Sequence, residues 1–305
     1  YFIRLDHVGQ LGLCKYTFVH GNNTRAAHCN GVRELTAIYV NMLNEVIENT
    51  FDRITKIQSQ AMQAAGLMHD IGHGPFSHIF EEAAKKMVPG WDHEVCSTLI
   101  VRFLMNDNFI RKYNLPDDFV DAVCDMIVGI TYDKFKVKYA KSKDFNRYFL
   151  FTIVNGEQVA DIDTDKLDYM YRDSTSVCKH SYINDVVANI VAIMKNTRII
   201  NDRLVYSSDI KKNVALFSHQ YYLNYRYIYY NPMCAAAHEL ICDLFTSFSD
   251  TAILREYLMD IEKYAALDDN FLTNTLQAIA QNDPDNHVKA LELFDRLRTR
   301  KFYEC

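Results

Sequence analysis

Three of the chain's eleven histidines, His69, His73 and His78, lie within ten residues of one another, and Asp70 directly follows the first. Such groups do two sorts of chemistry. Imidazole nitrogens and carboxylate oxygens ligate a divalent ion, or they carry a proton to or from a reacting atom. Neighbouring helical residues point roughly 100° apart, so His69 and Asp70 reach one ion only where a helix ends at a pocket. A His-Asp pair alone is more often structural. Glu81 stands three residues beyond His78, one helical turn away, where its carboxylate can orient the imidazole and raise its basicity. The plainer alternative is a surface ion pair of little worth. Asp92 is a natural N-cap, which puts His93 at the positive end of a helix, where an anion is welcome. Farther on, Asp161, Asp163, Asp165, Asp168 and Asp173 crowd one short stretch with Lys166, Tyr169 and Arg172. Runs like this are usually solvated. Leu167 and Met170 tie this one to a core, so some carboxylates turn inward, and a buried carboxylate needs a cation beside it.

The elements that must hold these groups read as helices. Ser59 to Met68 is apolar at helical spacing, which delivers His69 and Asp70 at a helix end. Gly72, Gly74 and Pro75 interrupt it, and Phe76, Ser77 and His78 open the next helix. Upstream, Gln10-Leu11-Gly12 precedes a short β-prone run, Tyr16 to Val19, and a turn at His20 to Asn23. Thr24 N-caps a helix with Val32, Leu35, Tyr39, Met42, Leu43, Val46 and Ile47 on its apolar face. His28 lies one turn before Val32 and faces inward, where a histidine is more often a hydrogen-bonded core residue than a ligand. Lys134 to Arg147 reads as an exposed loop, and Phe149 to Val154 as a buried helix. Arg198 to Tyr206 reads as a β-hairpin with a two-residue turn. In Phe217 to Asn231 most tyrosines are expected in a core or subunit contact, with a wall for a base or sugar as the functional alternative. From Cys234 to Cys305 amphipathic helices remain, broken by a turn at Asn282 to Asp285.

A chain of 305 residues, 49% hydrophobic, can bury one large core or a core with a smaller lobe. Residues 1–245 are expected to form the core, with the hairpin near 198–206, and 246–305 a helical portion packed on it. A net charge of -6 without a long basic run speaks against a general nucleic-acid binder, though not against a local cationic pocket. No apolar run approaches the roughly 18 residues of a membrane span. The eight cysteines contain no Cys-x-x-Cys pair, which predicts thiols in a reducing, intracellular compartment, cytoplasmic or nuclear. The chain opens at Tyr1 as if already inside an element, so further residues are expected before it.

Taken in order, His28, His69-Asp70 and Asp165 resemble the metal-binding pattern of an HD-domain phosphohydrolase. The resemblance implies a mainly α fold, a helical bundle around a site for Mn²⁺, Fe²⁺, Zn²⁺ or Mg²⁺, with the small hairpin and a C-terminal helical lobe attached. It is closer still to the deoxynucleoside triphosphate triphosphohydrolases, through Gln10-Leu11-Gly12, Thr24-Arg25 with His28, the whole stretch Ala65 to His78, and Asp163 to Asp173. The nearest type is the HD portion of the eukaryotic enzyme that also carries a sterile alpha motif. What the family implies falls on matching positions. His28, His69, Asp70 and Asp165 are the metal ligands, and Arg25 and Lys166 clamp the triphosphate. His73, His78 and His93 surround the scissile phosphate, with His78 the general acid and Glu81 its acidic partner. Gln10 and Leu11 contact the 3′-hydroxyl, and Tyr169 and Asp173 pack on the sugar. The implied reaction releases deoxynucleoside and inorganic triphosphate after water attacks the α-phosphorus, in a homodimer or homotetramer.

Several positions depart from the family. Gln220 and Ile228 stand where a further phosphate-binding Arg and a sugar-packing Tyr are expected. At the family's regulatory nucleotide site a basic residue is Asp6, a stacking aromatic is Ala26 and a late Lys is Asn231, while Arg226 is retained. Losing cations and stacking together predicts an enzyme without guanine-nucleotide activation. Two rivals stand beside this reading: an HD phosphohydrolase for another nucleotide phosphoester, and a catalytically silent nucleotide-binding protein.

Overall fold

The computed structural model describes residues 1–156, 162–177, 183–248 and 252–304. Asp161, Cys178 and Cys305 lie outside them. The chain is mainly α-helical, as expected. Its helices are α1 (Arg25–Val46), α2 (Lys56–Met68), α3 (His78–Met87), α4 (His93–Leu104), α5 (Asp107–Tyr113), α6 (Phe119–Val128), α7 (Tyr132–Tyr139), α8 (Thr164–Val177) and α9 (Ile183–Lys195). The hairpin β1 (Thr197–Ile200) and β2 (Arg203–Tyr206) follows, then α10 (Lys211–Asn224), α11 (Pro232–Thr246), α12 (Ala252–Met259), α13 (Ile261–Tyr264), α14 (Gln277–Asn282) and α15 (Val288–Thr299). Two compact units emerge: one comprises His28–His69 and Ser97–Tyr222, the other Tyr1–Ala27, Asp70–Cys96 and Leu223–Cys305.

In the first unit, α2 packs on α6 and α8 on α9. Thr55 starts α2 with a capping box, its hydroxyl accepting from Gln58 while the Gln58 side chain accepts from the Thr55 backbone. At Gly66 a Cβ would stand 3.2 Å from Val32 Cγ1 and Thr36 Oγ1, so the glycine lets α1 and α2 approach closely. Thr36 Oγ1 also meets Thr164 Oγ1 at 2.9 Å, tying α1 to the start of α8. These three helices carry His28, His69 and Asp165. The hairpin pairs Thr197 with Tyr206 and Ile200 with Arg203, and its turn residues Asn201 and Asp202 have φ of 50° and 62°, values that Asn and Asp tolerate.

In the second unit, α11 packs against α3 and α15. Phe80 meets Phe245 edge-on at 5.1 Å, and Trp91 meets Tyr264 at 5.7 Å. Buried Arg4 gathers the central motif, its guanidinium donating to the carbonyls of Ile71 (2.5 Å), His73 (2.8 Å) and Leu267 (2.7 Å). The Tyr264 hydroxyl donates to the Gly72 carbonyl at 2.5 Å.

Two sequence readings are corrected. Lys134 to Arg147 is not one loop, because Lys134 to Tyr139 belongs to α7. Thr131 caps that helix, and buried Phe135 and Tyr139, four residues apart, anchor it beneath the charged surface. Tyr16 to Val19 forms no strand. The Thr17 and Phe18 amides turn back to the Cys14 carbonyl, and among the described residues no strand lies alongside. Tyr222, Tyr227 and Tyr230 are 52%, 54% and 71% exposed, which leaves them to the subunit-contact half of the expectation for Phe217 to Asn231. Phe149 to Val154 is buried as expected, but its helix is a short 3₁₀ segment, Tyr148–Thr152. The six described cysteines are buried, and among the described residues no helix is long and apolar enough to cross a membrane.

Replacing Arg4 by Leu strands three buried carbonyls, each unmade bond costing about 1–3 kcal/mol. We expect Arg4→Leu to lower stability by about 3 kcal/mol or more, read as a reduced urea midpoint at unchanged slope.

Candidate metal centre and proton-transfer group

The first unit brings three ligand atoms together. His28 Nε2 lies 2.9 Å from Asp165 Oδ1 and 3.2 Å from His69 Nε2, and His69 Nε2 lies 3.4 Å from the same Asp165 oxygen. The far nitrogen of each ring decides the tautomer. His69 Nδ1 lies 2.9 Å from the Gly66 carbonyl, which can only accept, so Nδ1 carries the proton. His28 Nδ1 lies 2.7 Å from Asp168 Oδ2, whose carboxyl is held below its usual range. Burial opposes that shift, and the bonds from His28 and Arg172 overcome it. Both Nε2 atoms therefore present lone pairs to each other and to a carboxylate. Three electron-rich atoms this close repel unless a cation lies among them, and the spacing suits an ion whose bonds are roughly 2.0–2.2 Å long. The residues fit a divalent metal.

Behind His28 the arrangement continues. Arg172 grips Asp168 with two bonds, Nε to Oδ2 and a terminal nitrogen to Oδ1, both 2.8 Å. The pair occupies space left by Gly31, where a Cβ would stand 1.9 Å from Asp168 Oδ1 and 2.2 Å from Arg172. A mid-helix glycine costs helix stability, so here it makes room for the carboxylate that orients His28. Sequence reading quoted Asp168 within a motif but gave it no role. Its place one turn after Asp165 on α8 was the available signal.

The second unit holds the other cluster. Asp70 follows His69 along the chain, and its carboxylate is bound by Arg25 at 2.5 Å. Arg25 also donates from Nε to Ser77 Oγ (2.8 Å) and from Nη2 to the Gln10 carbonyl (3.3 Å). His73, His78, Glu81 and His93 lie together, their ligand atoms within 4.8 Å of one another. Glu81 Oε2 accepts from His93 Nδ1 at 2.7 Å and lies 3.4 Å from His78 Nδ1, and Oε1 accepts from Lys85 at 2.6 Å. Burial favours the neutral acid, but the two histidines and Lys85 prevail and keep Glu81 ionised.

The three histidines diverge. His73 is enclosed, stacked on His93 at 3.9 Å and edge-on to His78 at 4.8 Å. Burial first, then Arg25 and His93, push its pKa well below 6.5, so it is neutral. At His93 burial pushes down, but Glu81 and Asp70 overcome it and the pKa is raised. His78 is lowered, by loss of hydration first and by Arg25 and His93, against the pull of Glu81. With 63% of its side chain open to solvent, its shift is damped.

The remaining expected residues are placed as follows. Gln10 is buried and its Oε1 accepts no hydrogen bond, while Leu11 is half-buried. Lys166 is ion-paired with buried Asp163, and Tyr169 is half-buried and Asp173 buried. Gln220 is buried and donates to Ser174. Ala26 and Ile228 are buried, and Asn231 caps α11 by accepting from the Met233 amide. Arg4, which sequence reading passed over, lies in an unremarkable N-terminal stretch that carries no motif.

Residues 25–139 match the HD domain family model. The chain is also similar over nearly its whole length to triphosphohydrolase relatives, as its motifs implied. It is 24% identical over 305 residues to the deoxynucleoside triphosphate triphosphohydrolase SAMHD1 homolog of Dictyostelium discoideum, covering 99% of this chain and 54% of that one. It is 33% identical over 190 residues to deoxynucleoside triphosphate triphosphohydrolase SAMHD1 of Homo sapiens, covering 59% of this chain and 29% of that one. A putative HD domain-containing protein of Acanthamoeba polyphaga mimivirus is 24% identical, covering 99% and 67%. The chain thus spans about half the length of the Dictyostelium relative and less of the human one.

Adding a methyl group at residue 31 displaces the Asp168–Arg172 pair. We expect Gly31→Ala and Asp168→Asn each to weaken Mn²⁺ affinity by roughly 10–100-fold, measured by chelator competition on folded protein.

Proposed function

We propose that the protein hydrolyses deoxynucleoside triphosphates to deoxynucleoside and inorganic triphosphate, with a divalent ion held by His28, His69, Asp70 and Asp165. The observation that carries this reading is the convergence of the His28 and His69 lone pairs on Asp165. Bound there, the ion supplies Lewis-acid polarisation of a phosphate oxygen and of the attacking water. The chain's own residues do the rest. His78, open to solvent and with Nδ1 toward Glu81, gives the proton on Nε2 to the leaving 5′-oxygen. Its lowered pKa makes it a stronger acid at the cost of a smaller protonated fraction at neutral pH. His93, whose pKa Glu81 raises against burial, stabilises negative charge on the phosphate when protonated, and neutral His73 stacks beneath it.

Gln10 supports a sugar substrate: a buried acceptor with no partner suits a hydroxyl, here the 3′-hydroxyl, with Leu11 beside it. Tyr169 and Asp173 are assigned to the sugar. Arg25 and Lys166 are assigned to the triphosphate, and because each already holds a carboxylate, binding exchanges one anion for another. That prior engagement is also what favours the second reading, a different nucleotide phosphoester. Guanine-nucleotide activation is not proposed, since Ala26 offers no stacking surface and the Asn231 side chain is committed to a helix cap. The exposed Tyr222, Tyr227 and Tyr230 support a homodimer or homotetramer, and the buried thiols support an intracellular setting, cytoplasmic or nuclear.

Product analysis with Mn²⁺ and each dNTP tests the reading. We expect deoxynucleoside plus triphosphate without added GTP, and none from Asp165→Ala; turnover of another phosphoester alone would select the second reading. The His93 role has a pH signature. A raised pKa means the cation persists below it and is lost as pH rises through it, so kcat falls on the basic side. Glu81→Gln removes the ion that raises His93, and the basic limb of the kcat profile should move to lower pH.

A further inference from the structure

One carboxylate late in the chain reaches both the segment before Gln10 and the elbow before His78. Asp269, between α13 and α14, accepts from the Phe76 amide through Oδ1 at 2.6 Å and from the Gly9 amide through Oδ2 at 3.0 Å. The elbow it holds is strained, because Phe76 and Ser77 have φ of 58° and 59°, values non-glycine residues adopt only when surroundings impose them. Phe76 is buried, so without Asp269 its amide would lose an acceptor away from water. The opposite side of the Gly9 residue is fixed too, its carbonyl accepting from Ser77 Oγ at 2.8 Å. Gly9 permits the approach, since a Cβ there would stand 3.3 Å from Asp269 Oδ2 and 3.2 Å from the Gly12 carbonyl. Asp269 is itself anchored: its amide donates to the His7 carbonyl at 3.1 Å, and Arg4 grips the Leu267 carbonyl two residues earlier. Burial pushes the Asp269 carboxyl up to about 6, with a further push from Asp268, against the pull of the two amides and Lys15. At neutral pH it is ionised, with lone pairs for both bonds.

We propose that Asp269 is a positioning residue that holds the Gln10 segment and the Phe76–His78 elbow in one geometry. Its effect on turnover rests on the reading above, in which Gln10 and His78 touch substrate.

The test compares Asp269→Ala, which keeps no acceptor, with Asp269→Asn, which keeps one, and with Asp268→Asn as a control at a carboxylate that caps only Asn270. On the full chain with Mn²⁺, hydrogen exchange at the Gly9 and Phe76 amides and steady-state dNTP kinetics are measured. We expect exchange at both amides to quicken in Asp269→Ala, and kcat to fall about 100-fold while the folded fraction is unchanged. Asp269→Asn should recover part of the loss, and Asp268→Asn should match wild type. Unchanged exchange at both amides in Asp269→Ala would overturn the proposal. So would wild-type kcat and KM, or a rate loss that only tracks the unfolded fraction. If wild type turns over no dNTP, the function reading fails while the exchange comparison still decides whether Asp269 holds the two segments.

Discussion

Two imidazole lone pairs and a carboxylate aimed at one another are unfavourable in a bare protein, and the first unit is built to hold them so. Each ring is fixed from behind. The Gly66 carbonyl takes the His69 Nδ1 proton and Asp168 takes that of His28, so neither ring can relieve the repulsion by changing tautomer. Asp168 stays ionised because Arg172 grips it with two bonds, and that pair exists because residue 31 has no side chain. The helices are held to match: Gly66 admits α1 close to α2, and the Thr36–Thr164 contact ties α1 to α8. An unfavourable set of donors kept rigid is what a metal site requires, because the ion then meets ligands already oriented.

Much of this was legible in the residues. Helices capped by Thr24 and Asp92 were expected, and the hairpin turn at Asn201-Asp202 has the residue types its backbone demands. The grouping of His28 with His69 and Asp165 was legible only through the motif pattern, since residues so far apart carry no periodic signal. What stayed hidden has physical causes. Phe135 and Tyr139 are two buried rings among the four charged residues of α7, so composition outweighed spacing in the loop reading of that helix. Tyr148–Thr152 is buried almost all round, and a uniformly apolar segment shows no period from which to tell a 3₁₀ turn from an α-helix.

Support residues were the least legible part of the site. Arg4 acts through three backbone carbonyls, and a carbonyl leaves no trace in side-chain identity. Asp168 was visible but ambiguous, one of several acids in a stretch that composition alone assigns to solvent. Gly31 is the sharpest case. In sequence it looks like a weak point in a helix, whereas in the structure it is the space that the carboxylate behind His28 fills.

In the second unit one carboxylate sets neighbouring imidazoles on different courses. Glu81 places an oxygen 2.7 Å from His93 but 3.4 Å from His78, and the closer ring gains enough to override its burial while the more distant one does not. His73, closed to water, stacked on His93 and near Arg25, has its pKa pushed well below its usual value. Three chemically identical side chains thus have their pKa values moved apart, one up and two down, by their distances to Glu81, their exposure and the nearby Arg25 and Asp70. A group arranged this way can hold an anion beside one ring while the next exchanges a proton, a division of labour that three equivalent histidines in water would not show.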